Sequence, residues 1–229
     1  MDGYLLIDKP LGWSSFDVVN YVRKTIATAE AIKPKQIKVG HTGTLDPLAT
    51  GLLILLIGSY TKRAPELFKL DKTYEATVKL GEASTTGDAE GEKTFVSDKQ
   101  PTRAEIVNVL RKYSGDIMQT PPIFSAMKVG GQRAYKLARQ GKAVKLDPRP
   151  VTIYKNELKD YEYPVVEFVS QVSSGTYIRS LVEDFGKELG TGAHLISLRR
   201  SQVGPYSLNE ALQLEKLNSD IIRTHLTKL

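Results

Sequence analysis

Apolar residues occur along this chain in short runs whose period switches between two and about 3.6, and each switch marks an expected element. Gly3 to Ile7 reads as a short strand. Ser14 or Ser15 can then cap a helix whose apolar positions Phe16, Val19, Val22 and Ile26 keep helical spacing. Lys33 to Lys38 is a basic, Pro-containing loop. Ile37 to Gly40 and the aliphatic run Leu52 to Ile57 predict two strands, and between them stands GHTGTLDPLATG (40–51). Lys72 to Leu80 alternates as a half-buried strand does, with Tyr74, Ala76, Val78 and Leu80 on one face. Gly81 to Lys93 is a polar turn region. TRAE (102–105) is a capping box for a helix that runs to Tyr113 and stops at Gly115.

QTPP (119–122) leads into an extended segment, a VGGQ turn and a short helix near Ala134 to Gln140, ended by Gly141. Val151 to Ser173 supplies one or two strands around Tyr163-Pro164. Tyr177 to Leu189 predicts a helix with Ile178, Leu181, Phe185 and Leu189 on one face, followed by a strand near His194 to Val203. SLNE (207–210) reads as a second capping box, for a terminal helix. Strands and helices mix without strict alternation of strand and crossover helix, so the expected class is α+β around a mixed sheet.

Composition narrows the possibilities. With 41% hydrophobic and 25% charged residues, the chain reads as a soluble globular protein. The absence of cysteine excludes disulfides and thiolate-held zinc, and suits a reducing cytoplasm. The opening MDGYLLIDKP lacks the basic and long apolar regions of a signal peptide, and Leu52 to Ile57 is far short of the roughly 20 residues of a membrane span. Charge is concentrated in one place. Between Ala126 and Pro150 stand seven bases (Lys128, Arg133, Lys136, Arg139, Lys142, Lys145, Arg149) and one acid, Asp147, which equals the net +6 of the whole chain. A solvated charged face is one reading; the concentration points to a polyanion contact, nucleic acid above all.

The loop at 40–51 carries one carboxylate, Asp46, and one imidazole, His41. It lacks the Lys-Ser/Thr pair that a P-loop needs. His41, His194 and His225 are scattered, and no second carboxylate in the sequence lies near Asp46, which argues against a metal cluster. There is no strand–GxSxG–helix context for a nucleophilic serine. Asp46-Pro47 could simply be a turn, with the carboxylate accepting backbone N–H groups.

GHTGTLDPLATG resembles the signature of the tRNA pseudouridine-55 synthase family, of the TruB type. DKPLGWSS (8–15), KTYEATVKLG (72–81), SSGTYIRSLVEDFG (173–186) and GAHLISLRR (192–200) resemble that family too, in its order and at similar spacings. The resemblance implies a mixed, largely antiparallel central sheet with flanking helices. Residues 1–229 would form a single catalytic domain, with a basic, RNA-contacting insertion at 122–150. The family's longer members carry a small RNA-binding domain after the catalytic one, and the twenty or so residues after SLNE are too few for it.

The implied reaction is isomerisation of uridine 55 in the tRNA T-loop to pseudouridine, without cofactor or metal, in the cytoplasm, by a monomer. Asp46 would be the nucleophile, kept ionised by Arg179. Tyr74 would stack on the flipped uracil, although the pattern alone equally suits a core tyrosine. Tyr177 and Leu198 would line its pocket. Lys9 would lie near the site, where composition alone suggests a solvated lysine, and His41, by itself an ordinary loop histidine, would contact the flipped nucleotide or fill its gap in the RNA. Lys128, Arg133, Lys136, Arg139 and Lys142 would hold the T-arm. The alternatives are a non-catalytic RNA-folding chaperone and, more weakly, a glycosidase, for which no second catalytic carboxylate stands out.

Overall fold

The computed structural model describes residues 1–125 and 127–228; Ala126, at the head of the basic segment, lies outside them. In chain order the elements are β1 (Gly3–Lys9), α1 (Ser15–Ala29), β2 (Val39–His41), β3 (Ala49–Ile57), α2 (Ala64–Phe68) and β4 (Lys72–Leu80). Next come β5 (Glu82–Ser84), β6 (Lys93–Phe95), α3 (Arg103–Lys112), β7 (Gly115–Gln119), β8 (Lys128–Val129), β9 (Gln132–Arg133) and α4 (Ala134–Arg139). The rest are β10 (Arg149–Glu162), β11 (Val165–Val172), α5 (Ile178–Leu189), β12 (Ala193–Val203), β13 (Tyr206–Ser207), β14 (Leu212–Gln213) and α6 (Ser219–His225). The class is α+β, a large mixed sheet with flanking helices.

The chain forms two compact units. The first joins Met1–Tyr74 to the C-terminal stretch from Leu198, and the second is the continuous Glu75–Ser197. In the first unit, β3 lies between β1, antiparallel with Leu5 opposite Leu55, and β12, parallel with Leu198 opposite Ala49. The other edge of β1 takes β14 in parallel, Ile7 opposite Leu212. The aliphatic run in β3 is continuous because both its faces are buried. Leu53, Leu55 and Ile57 pack with Leu5, Ile7 and the α1 residues Val18, Val19, Val22 and Ile26. Leu52, Ile54 and Leu56 pack with Leu67 and Val203 on the opposite side. Each such burial contributes about 1.5–3 kcal/mol, so this strand is the firmest available support for the loop that precedes it.

The second unit orders β4, β11, β10 and β7 side by side. Phe185 of α5 meets Phe168 and Tyr113 edge-on, with ring centroids 5.6 and 5.3 Å away. The helix ends at Gly190 in the left-handed region, as a C-terminal glycine should. The basic segment is a small hairpin, β8 with β9, followed by α4.

Two expectations are corrected. Phe16 is 59% exposed, and the buried stripe of α1 runs through Val18, Val19, Val22 and Ile26 instead. At about 3.6 residues per turn Phe16 falls outside the stripe centred on these four, and Ser15 takes the buried place in the first turn, which Ser14 and Asp17 close with a capping box. SLNE opens only a single 3-10 turn, Leu208–Glu210, because Ser207 accepts from Asn209 rather than from the third helical residue. The terminal helix is α6, capped by Asn218.

Candidate active site

The loop between β2 and β3 is held by its backbone at almost every residue. Thr42 N–H donates to Ile54 O at 3.1 Å, and Ala49 N–H to Asp46 O at 3.0 Å. Ser15 Oγ receives the Leu45 N–H at 2.8 Å and donates to Leu45 O at 3.1 Å. Gly12 N–H donates to Pro47 O at 2.9 Å. A segment dense in Gly, Thr and Pro has few side chains with which to pack, so it is fixed through carbonyls and amides. The Asp46 backbone is pinned on both sides, and its side chain is half-buried.

Two buried cations lie beneath the loop. Arg200 of β12, 2% exposed, donates from Nε to Leu52 O at 2.8 Å and from a terminal nitrogen to Gly43 O at 3.1 Å. One side chain therefore ties together the two ends of the loop. Gly51 has φ 98°, and a Cβ there would run into the Arg200 backbone, so this position requires glycine. Lys9, at the end of β1, is completely buried and gives its ammonium to Pro10 O at 2.9 Å and Trp13 O at 2.5 Å. The solvated-surface reading of Lys9 is thereby excluded. Burial pushes the Lys9 pKa down to about 8; the charge of Asp46 pulls it back up, and Arg200 pushes it further down. The attraction is mutual, so Lys9 favours the ionised form of Asp46. Lys72, at the start of β4, is likewise pushed down to about 8 by burial and then by Arg200, and it donates to Phe68 O at 2.8 Å and to Leu70 O.

The other expected residues of the first unit stand on the same framework. Tyr74 is buried on β4 along the face of Lys72 and Ala76. Leu198 is half-buried on β12 opposite Ala49, three residues after Asp46. His41, half-buried at the end of β2, receives the Gly43 N–H on Nδ1 at 3.4 Å. Next to Arg200, Arg199 spans Asp8 at 2.8 Å and Thr50 at 3.3 Å, which fastens β12 to the strand pair β1–β3.

In the second unit, Tyr177 is the residue before α5; its N–H donates to Gln119 Oε1 at 2.8 Å, and its carbonyl accepts from Gln119 Nε2 at 3.0 Å. Arg179, 7% exposed in the first turn, is held by Thr86 O at 3.0 Å, Phe124 O at 2.9 Å and the carboxylate of Asp88 at 3.5 Å. A cation at a helix N-terminus is disfavoured by the dipole, and Asp88 is an acid that compensates it. The seven bases of the basic segment are all exposed.

Sequence reasoning missed Asp88, Lys72 and Arg200. Asp88 lies in a polar turn with no pattern to single it out. Arg200 carried a usable signal, since a basic residue in an otherwise buried strand must find oxygens, and a Gly-rich loop offers carbonyls.

This loop and its supports have a counterpart in sequence families. Residues 30–178 match the model described as TruB family pseudouridylate synthase (N terminal domain). The chain belongs to the TruB family. Residues 179–228 match a second model, the tRNA pseudouridylate synthase B C-terminal domain, which begins inside α5. The tRNA pseudouridine synthase B of Pseudomonas fluorescens is 45% identical over 96% of this chain and 69% of its own length. That of Parabacteroides distasonis is 43% identical over 98% of this chain and 95% of its own. Among solved structures, a Cbf5-Nop10-Gar1 complex matches with TM-score 0.72 and 30% identity over 94% of this chain. The chain spans about half, 53%, of the chain it matches there. TruB-family membership makes this protein a pseudouridine synthase, an isomerase acting on RNA.

Proposed function

We propose that the protein converts the uridine at position 55 of the tRNA T-loop to pseudouridine, with Asp46 as the nucleophile. The observation that carries the reading is the placement of a single carboxylate on a loop held through its backbone, in the field of the buried Lys9, within a TruB-family chain. Breaking the C1′–N1 bond builds positive charge on the sugar, which a carboxylate can stabilise or trap. The uracil then turns and rejoins through C5, so the same atoms leave and return. A second carboxylate of the hydrolase kind would activate water, which this reaction must exclude.

The target base has to leave its stack, at a cost of a few kcal/mol. Stacking on an aromatic face returns about 1–3 kcal/mol per base, the role assigned to Tyr74. Tyr177 and Leu198 would line the uracil pocket, and His41 would touch the flipped nucleotide. Arg179 would keep Asp46 ionised. Lys9 acts through the loop that its ammonium supports. Lys128, Arg133, Lys136, Arg139 and Lys142 would grip T-arm phosphates. The reading takes the protein to be a monomer working in the cytoplasm.

The test is an unmodified tRNA transcript incubated with wild type and with Asp46→Asn, followed by mapping of pseudouridine. Wild type should modify one T-loop uridine. The Asn variant should form none while binding tRNA within about tenfold of wild type, about 1.4 kcal/mol. Turnover by the Asn variant near the wild-type rate would remove Asp46 from the chemistry.

A further inference from the structure

The segment from Leu11 to Phe16 turns three large apolar side chains outward. Leu11 is 66% exposed, Trp13 36% and Phe16 59%. Single exposed apolar residues are ordinary; three within six residues, beside a nucleophile loop, are not. Two rings are also fixed in place. Trp13 meets Tyr21 edge-on at 5.9 Å between centroids, and the Arg23 guanidinium lies 6.0 Å from the centre of the Phe16 ring. Arg23 is itself held by Asn20 at 3.1 Å and by Val39 O at 3.2 Å, next to the exposed Lys38.

This surface is continuous with the active-site loop. Gly12 N–H is bonded to Pro47 O, Ser15 Oγ to Leu45, and Lys9 to the carbonyl of Trp13. Residues 11–16 are therefore tethered to the loop that carries Asp46, and an RNA strand that presents a nucleotide to Asp46 has these rings beside its path. Exposed aromatic faces interleaved with cations are the chemistry that holds unpaired bases and their phosphates. Arg23 and Lys38 at the border supply the cations that phosphates beside stacked bases need.

We propose that Trp13 and Phe16 form a second base-stacking platform that holds unpaired nucleotides flanking the target uridine. The proposal rests on the pseudouridine synthase reading of the loop, but it can be tested separately, because Trp13 is the only tryptophan in the chain. Its fluorescence therefore reports this patch alone and needs no turnover.

The experiment is a titration of the full-length protein with an unmodified tRNA transcript, following Trp13 emission and its quenching by acrylamide. Binding should quench the emission and shield the ring from acrylamide. The exposed double variant Trp13→Ala/Phe16→Ala should raise the KM for tRNA by roughly tenfold or more, the lower end for losing one stacked base, with kcat changed by less than about twofold. Trp13→Tyr/Phe16→Tyr should restore binding; Trp13→Leu/Phe16→Leu, as apolar but without a π face, should not. Saturation with tRNA that leaves Trp13 emission and quenching unaltered overturns the proposal, as does wild-type KM in the Leu variant. Sedimentation showing a dimer that dissociates in the Ala variant would assign the patch to a second copy instead. If wild type makes no pseudouridine yet tRNA shields Trp13, the function reading fails and the platform stands.

Discussion

At the scale of single residues, Arg200 does what no acid–base pair could do here. A buried guanidinium bonded to two backbone carbonyls fixes distances, because its donors diverge at set angles. A lysine nitrogen can bridge two carbonyls, as those of Lys9 and Lys72 do, but it does not hold them at the separation that the guanidinium sets. We therefore expect Arg200→Lys to lower kcat at least tenfold while KM for tRNA moves less than threefold, since the loop loosens without leaving the RNA. Single-turnover rates at saturating tRNA check this. A KM increase with kcat preserved would mean that Arg200 serves binding and not the placement of Asp46. The residue was legible as a cation in LISLRR; its two carbonyl partners, 148 and 157 residues away, were not. Long-range partners of a buried charge leave no periodic trace in sequence.

At the scale of elements, the legible parts are those whose stability is local. The alternation in β4 and the capping box of α3 recover both elements almost to the residue. Phe16 was misplaced because a lone i, i+3 match to Val19 does not put a residue on the buried stripe, which packing centres on Val18, Val19, Val22 and Ile26. SLNE shows that the letters of a capping box open no full helix when Ser207 accepts from Asn209 and not from Glu210. The basic hairpin and α4 carry the chain's net charge on exposed side chains. Each phosphate neutralised in looped RNA steepens log K against log salt by about 0.7. Replacing Lys136, Arg139 and Lys142 by Ala should flatten that slope by up to roughly two units, measured by tRNA binding between low and moderate salt. The chemical step at saturating RNA should change much less. An unchanged slope with lost activity would show that the segment shapes the site and does not grip the backbone.

At the scale of the whole molecule, burying Lys9 and Lys72 leaves a signature in stability against pH. Both are held to about 8 in the folded state against an ordinary 10.5. Between those limits the unfolded chain binds more protons, so each lysine adds stability as pH rises. Its cost is fully present below about 8 and is gone above about 10.5. The unfolding free energy of wild type minus that of Lys72→Met should thus increase from pH 8 to pH 10, as read by urea denaturation. A flat or falling difference would show that Lys72 keeps its ordinary pKa in the fold. Nothing in the alternation of β4 foretold this, since a lysine at the head of a strand usually reaches solvent.

The first unit is assembled from the two ends of the chain, and that imposes an order in time. Synthesis runs from the N-terminus, so Asp46, its loop and strands β1 to β3 emerge early, with one side of β3 lacking the strand that completes it. A ribosome that has reached Ser197 has delivered every residue of the second unit. It has not yet made Arg200, which ties the loop closed, nor Leu212 and Gln213, which cover the edge of β1. Asp46 is therefore made well before the arginine that clamps its loop.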